Sequence, residues 1–322
     1  MRESSDLRNM AEERLMALDY TKPGLEGLYA PVRYGLGSGG KRLRPLLVLM
    51  GCEAFGGDAA SALDAACGVE IFHNFTLLHD DVMDASPMRR GRPSVYAKWD
   101  LNTAILSGDT MLTLATQLVS AVPDKVLRPV LDVFNRMAIE VYEGQRLDMD
   151  FEERPDVGSE EYIRMIELKT GALLGGSARI GALIGGATEK QARAVDEYGR
   201  ALGVAFQIQD DYLDCFGDEL TFGKPIGGDI VQGKKTFLLL EGLASGGPDS
   251  EALRDAMKLQ PKEVRIQTVK RLYEKMDMEQ RCRKAILHWT GRALRALKQT
   301  GLDEADLAPF HKLADKLTGR RK

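Results

Sequence analysis

Apolar residues recur at three- and four-residue spacing along nearly all of this 322-residue chain, while alternating β-branched runs bounded by turn residues are hard to find. That spacing gathers apolar side chains on one face of a helix, so the period predicts an all-α protein. A first amphipathic helix is expected over about 6–20, and Pro45 is expected to open a second that carries Leu46, Leu47, Leu49 and Met50 and closes at Gly56-Gly57. The next runs from Asp58 or Ser61 through Val69, Phe72, Phe75 and Thr76 to Asp84, stopping before Pro87. Pro87 to Pro93 reads as a basic loop. Leu106 to Thr110 lies in a further apolar helix ending near Pro123, and another helix is expected over about 126–149. From Glu161 to about Leu183 the helical pattern is rich in Gly and Ala, and Gly171, Gly175, Gly176 and Gly181 would let another helix approach closely. A helix from Glu189 to Phe216 precedes a Gly-rich loop, Phe222 to Asp229, suited to a lid. From Pro261 onward the chain reads as helices with charged faces and ends in the basic tail Arg320-Arg321-Lys322.

No repeat, low-complexity segment or domain boundary interrupts this pattern, so one domain over 1–322 is expected. The net charge of −4 argues against a general nucleic-acid binder, whose phosphate contacts need a basic excess. Cys52, Cys67, Cys215 and Cys282 are scattered and form no CxxC pair, which suggests reduced core thiols rather than a zinc site or a disulfide framework. The polar start is unlike a secretory signal, and no apolar run approaches the roughly 18 residues of a spanning helix. A cytoplasmic protein without a transmembrane segment is the expectation.

One helix end carries the chemistry. In His73-Asn74-Phe75-Thr76-Leu77-Leu78-His79-Asp80-Asp81-Val82-Met83-Asp84 an apolar run ends in three carboxylates. Helical spacing puts Asp80 and Asp84 one turn apart on one face, with Asp81 beside them and His73 two turns earlier on the same face. No basic residue lies four positions on from any of the three, so the cluster repels itself unless a cation fills it. Carboxylate oxygens on one face, with positions left for water and phosphates, suit Mg2+. Taken alone, the motif is equally a solvated acidic helix end. A second copy, Phe206-Gln207-Ile208-Gln209-Asp210-Asp211-Tyr212-Leu213-Asp214, changes the balance, because several Mg2+ ions between two such ends form a receptor for a diphosphate. Arg89 and Arg90 follow the first motif and Lys224 the second, and Gly39-Gly40-Lys41-Arg42-Leu43-Arg44-Pro45 supplies three more cations for an anionic substrate.

Asp80-Asp81-x-x-Asp84 with Arg89-Arg90-Gly91-Arg92-Pro93, then Asp210-Asp211-x-x-Asp214, resembles the two aspartate-rich motifs of the trans-isoprenyl diphosphate synthases. The likeness runs from about Gly39 to Lys235 and includes Gly144-Gln145, Lys169-Thr170-Gly171 and Gln207. It implies a single-domain isoprenoid synthase fold, antiparallel helices around a deep central cavity, working as a homodimer. The implied reaction is head-to-tail condensation: an allylic diphosphate loses diphosphate, and the double bond of isopentenyl diphosphate attacks the carbocation. On this resemblance Asp80, Asp81, Asp84, Asp210 and Asp214 hold Mg2+. Arg89, Lys169, Thr170, Gln207, Lys224 and Lys234 face the allylic diphosphate, with Lys169, Thr170 and Gln207 nearest the chemistry. Lys41, Arg44, His73 and Arg90 bind isopentenyl diphosphate, and Gln145 and Asp148 lie near the cavity.

Two other classes fit parts of this pattern. A catalytically silent partner subunit would have lost an aspartate motif, and both are intact. A terpene cyclase would carry an Asn/Asp-Ser/Thr-Glu type second motif, which 210–214 lacks. Product length follows from helix geometry. Thr76, one turn before Asp80, lets a growing chain pass, whereas Phe72, roughly 12 Å below Asp80 at 1.5 Å per residue, blocks it, with Phe75 narrowing the approach. Geranylgeranyl diphosphate is the expected product, with farnesyl diphosphate the close alternative.

Overall fold

The computed structural model describes residues 2–217 and 226–319. Lys224, the loop residues up to Pro225 and the tail Arg320-Arg321-Lys322 lie outside the described residues. Helices carry most of the rest, as the apolar spacing requires. They are α1 (Ser4–Ala17), α2 (Glu26–Leu36), α3 (Leu43–Ala54), α4 (Ala59–Met83), α5 (Val95–Lys98), α6 (Leu101–Val119) and α7 (Asp124–Glu153). After α8 (Ser159–Ile166), five residues, Glu167–Gly171, wind as a π-helix before α9 (Ala172–Gly185) and α10 (Glu189–Phe216). The chain ends through α11 (Gly228–Gln232), α12 (Phe237–Ala244), α13 (Gly247–Ala256), α14 (Lys262–Lys275), α15 (Met278–Lys298) and α16 (Glu304–Thr318).

The sequence reading holds for the long helices and departs from the structure at three places. α2 was not expected, because Pro31, Gly27 and Gly35 look like breakers; Pro31 stands in the second turn and forfeits only one ladder bond. Residues 161–183 are not one uniform helix, since the π-helix interrupts them. The basic loop is a hairpin, β1 (Met88–Arg89) pairing antiparallel with β2 (Arg92–Pro93), register Met88 to Pro93 and Arg89 to Arg92. Arg90 and Gly91 at its tip both have positive φ, 51° and 74°, as a two-residue type I′ turn demands.

The described chain forms two compact units. One draws on Met1–Arg136, Gly176–Asp196 and Leu302–Pro309, the other on Met137–Gly175, Glu197–Gly301 and Phe310–Lys322. In the first unit α4 packs against α3 and α6. Asp58 starts α4 by accepting a bond from the Ala60 N–H, and Asp100 starts α6 by accepting from the Thr103 N–H at 2.8 Å. The glycines of α9 act as expected: a Cβ on Gly181 would lie 1.9 Å from the Val48 carbonyl oxygen, so the α3 backbone closes on α9 only because that side chain is absent. The second unit has its own apolar core around Phe151, Tyr162, Val204, Ile208, Tyr212 and Phe237. Among the described residues no helix is long and apolar enough to cross a membrane.

Candidate active site

The first acidic cluster occupies the C-terminal turns of α4, with Asp84 as the capping residue. That end of a helix carries the negative pole of its dipole, so three carboxylates there are opposed both by one another and by the backbone. The three are not equivalent. Asp81 is buried, and Arg89 donates to its Oδ1 from Nε at 2.8 Å and Nη2 at 2.7 Å. The relief that helical spacing did not offer therefore arrives from the hairpin, eight residues on. Burial nevertheless holds the Asp81 carboxyl above its ordinary range, against the pull of Arg89. Asp84 is exposed and Asp80 half-buried, which leaves these two, one turn apart, as the carboxylates nearest to solvent.

Around this cluster the first unit gathers cations. Arg90 lays its guanidinium on the Gly39 carbonyl, with Ser38 Oγ at 3.3 Å. Gly40, φ 139°, makes room: a Cβ there would sit 2.9 Å from Arg90 Nη1. Arg44 is half-buried, with its Nε enclosed and lacking any hydrogen-bond partner, and burial pulls its pKa down to about 10 with help from Arg90. His73 is held well below the usual histidine value by burial and then by Arg44, Arg90, Arg89 and Arg42, so its imidazole is neutral at pH 7. Arg44, His73 and Arg90 thus share one electropositive neighbourhood, while Lys41 is exposed at its edge.

The third cation of that run is a correction. Arg42 is not available to an anion: it turns into the core, donates to Glu70 Oε1 at 2.8 Å, to the Leu36 carbonyl at 2.9 Å and to Glu12. Glu70 is buried as well and accepts from Asn74. Glu70 was the sequence signal for this, since a lone carboxylate inside Ala65-Ala66-Cys67-Gly68-Val69-Glu70-Ile71-Phe72 needs a cation once buried.

In the second unit the repeated motif lies in the last turns of α10, again at a negative pole. Its middle aspartate is also turned inward, by different partners. Asp211 accepts from Tyr162 Oη, from the Phe237 backbone N–H at 3.0 Å and from Gln207 Nε2 at 3.3 Å. Burial, reinforced by Asp229, pushes its pKa up to about 7. Asp214 is buried and accepts from the Asp229 N–H at 3.1 Å, holding the start of α11, while Asp210 remains half-buried. Tyr162 and Asp229 carry no sequence signal, because the first lies 49 residues from its partner and the second sits in what reads as a plain turn.

The π-helix presents Lys169 and Thr170, both half-buried. Lys169 Nζ donates to Asp148 Oδ2 at 2.5 Å, and Gln145, one turn earlier on α7, is buried with its Oε1 unpartnered. Lys234 is exposed, 3.9 Å from Asp229. Among the described residues no three His, Cys, Asp or Glu side chains converge closely enough to hold a metal ion by themselves. That is the donor set Mg2+ tolerates, since it binds through one or two carboxylates and completes its shell with water and substrate phosphate. Below Asp80 on α4, Phe72 is fully buried, tilted against Phe75 at 5.6 Å and meeting Phe134 edge-on at 5.4 Å. Phe75 meets His79 edge-on at 4.7 Å, and Thr76 turns its hydroxyl back to the His73 carbonyl at 2.8 Å.

The family model described as polyprenyl synthetase matches residues 26–276. A geranylgeranyl diphosphate synthase of Methanosarcina mazei is 44% identical over 231 residues, covering 71% of this chain and 71% of that protein. A crystal structure of a geranylgeranyl pyrophosphate synthase superposes with a TM-score of 0.94 at 41% identity, covering all of both chains. The Corynebacterium glutamicum geranylgeranyl pyrophosphate synthase, solved in complex with isoprenyl diphosphate and magnesium, superposes with a TM-score of 0.84 at 28% identity over 99% of this chain and 98% of its own. A matched stretch of this length, together with relatives this similar, means that the chain belongs to the polyprenyl synthetase family.

Proposed function

We propose that this chain is a short-chain trans-prenyltransferase that condenses isopentenyl diphosphate with allylic diphosphates and releases geranylgeranyl diphosphate, with the whole chain serving as one polyprenyl synthetase domain. The observation that carries the reading is the paired design of the acidic ends: each sits at a negative helix pole, and each has its middle aspartate occupied by protein partners. Asp80, Asp84 and Asp210 are proposed to attract cations, with Asp81 and Asp214 adding charge. They would hold Mg2+, which when bound would supply positive charge to neutralise the departing diphosphate. Arg89, Lys169, Lys224 and Lys234 bind the same anion, Thr170 and Gln207 offer polar atoms towards the allylic cation, and the departed diphosphate takes the proton. Lys41, Arg44, neutral His73 and Arg90 seat isopentenyl diphosphate, which keeps its own diphosphate. The unpartnered Nε of Arg44 supports that role.

Phe72 is proposed as the floor of the product channel, with Phe75 and Thr76 above it. A second copy of the chain is proposed to cover Leu101, Ile105 and Leu106, which α6 leaves 50%, 41% and 59% exposed, as a cytoplasmic homodimer. Purified protein given Mg2+, isopentenyl diphosphate and an allylic diphosphate tests the activity. Inactivity restored by a partner chain would mean a subunit of a heteromeric enzyme, and consumption of the allylic substrate alone would mean a cyclase. Product analysis of Phe72→Leu tests the floor, because it shortens the side chain while avoiding the 3–5 kcal/mol or so that Phe72→Ala would cost. Longer products are expected, and an unchanged product from Phe72→Leu and Phe75→Ala alike places the floor elsewhere. Sedimentation equilibrium with Leu106→Glu tests the dimer.

A further inference from the structure

We propose that Tyr34 is a positioning residue for the hairpin that carries Arg89 and Arg90, and that it sets affinity for isopentenyl diphosphate through Arg90. The proposal rests on reading Arg90 as a cation for that substrate. A hairpin with two residues per strand has almost no ladder and is not stable by itself. Its tip is also costly, because Arg90 adopts φ 51°, a conformation that disfavours a residue with a Cβ. Something outside the hairpin must therefore hold it.

The holding contacts converge on the last turn of α2. Tyr34 Oη donates to the Pro93 carbonyl at 2.8 Å, and its ring lies under the Arg92 guanidinium, 4.3 Å from the centroid. Arg92 reaches the Gly37 carbonyl at 3.4 Å, beyond the end of the same helix, and Arg90 rests on the Gly39 carbonyl two residues later. Trp99 buttresses Tyr34 edge-on at 5.2 Å, and Lys98 stacks on both rings at 3.9 and 4.6 Å. Arg33, Arg92, Lys98 and the two aromatic residues line an open cleft of about 330 Å³. Among the described residues none of these three cations forms a salt bridge with a carboxylate, although Asp19 senses the charge of Arg33. The cleft nevertheless needs no anion to explain it: cations at a helix C-terminus are stabilised by its dipole and, here, by ring faces. The cleft is a clasp. It fixes β2, and β2 fixes the tip that aims Arg90 over Gly40 and, by pairing, the strand β1 that presents Arg89 to Asp81.

Tyr34→Phe removes the bond to Pro93, and Tyr34→Leu removes the ring as well. The Michaelis constant for isopentenyl diphosphate should rise about threefold in the first and about tenfold in the second, as expected for one hydrogen bond and then a stacking contact in addition, with kcat within about twofold. In an Arg90→Ala background Tyr34→Leu should add less than about twofold, since its route is already cut. Amide exchange over 87–94 should quicken about tenfold in Tyr34→Leu while the α4 core keeps its protection. Unchanged exchange over the hairpin, or multiplicative effects in the double variant, would overturn the proposal. Should Tyr34→Leu fail to fold, Tyr34→Phe decides alone: an unchanged Michaelis constant and unchanged hairpin exchange overturn it. If Arg90→Ala leaves every substrate constant intact, the assignment of Arg90 fails instead, and the exchange result still rules on Tyr34.

Discussion

The two acidic helix ends share one spacing and differ in everything around it. At the first, the middle aspartate is paired with an arginine about a third exposed, carried by a hairpin, and the neighbourhood is crowded with cations that add to burial in holding His73 neutral. At the second, the middle aspartate is shut away with a tyrosine hydroxyl, a backbone N–H and an amide, and its neighbours include another carboxylate. A five-residue spacing thus settles which carboxylates share a helix face. The tertiary surroundings settle the local field, which is positive at one end and negative at the other.

The largest expected effect tests what the ends have in common. Asp80→Ala, Asp84→Ala and Asp210→Ala should each lower turnover by about 10³-fold or more, while the melting temperature stays level or rises, because each removes a charge from a repulsive helix terminus. Near-native turnover in any of them would break the equivalence of the two ends. The next effect separates them. Asp211→Ala strands the Tyr162 hydroxyl and the Phe237 N–H in a dry site and should cost about 2–3 kcal/mol in urea unfolding. Asp81→Ala releases an arginine that solvent can reach and should cost about 1 kcal/mol. Equal costs would mean that the partners are interchangeable.

The smallest effect is in the pH dependence of stability without metal. His73 has a folded pKa below its unfolded one, so below about pH 6.5 the unfolded chain binds a proton that the folded chain refuses. Its stabilising effect is complete above that pH and is lost on acidification. Asp211 runs the other way: between about 4 and about 7 the folded chain keeps a proton that the unfolded chain has lost, so stability falls as pH rises through that window and then levels. Melting curves in chelator from pH 5 to 8 should therefore lose their acid-side decline in His73→Gln and steepen it in Asp211→Asn. Identical profiles in both variants would contradict the opposite shifts that burial gives these two groups.

Much of this was legible in the chain. The helix over 189–216 follows from its apolar period alone, and the acidic motifs with their flanking basic residues pointed to the right family. What escaped was whatever depends on partners distant in sequence or on elements too short to show a period. Two residues per strand cannot alternate visibly, so the hairpin read as a loop. Arg42 looked like its neighbours Lys41 and Arg44 until the fold set it between Glu12 and Glu70. The partner of Asp81 comes from a two-residue strand, and those of Asp211, apart from Gln207 one turn earlier, come from Tyr162 and Phe237, 49 and 26 residues away, where no local rule reaches.

The π-helix at Glu167–Gly171 carries a consequence for how this chain can be edited. A π turn holds one residue more than an α turn, and each residue of an α-helix rotates the frame by about 100°. Deleting a single residue there would let α8 and α9 join as one regular helix, with better backbone bonding and the two flanks hardly rotated, because one π turn and one α turn sweep nearly the same angle; the residues within the turn itself would be re-aimed. Lys169 would leave Asp148, and Thr170 would face a new direction. This stretch should therefore accept substitution far more readily than a change of length, and a shortened chain would come out sturdier and idle.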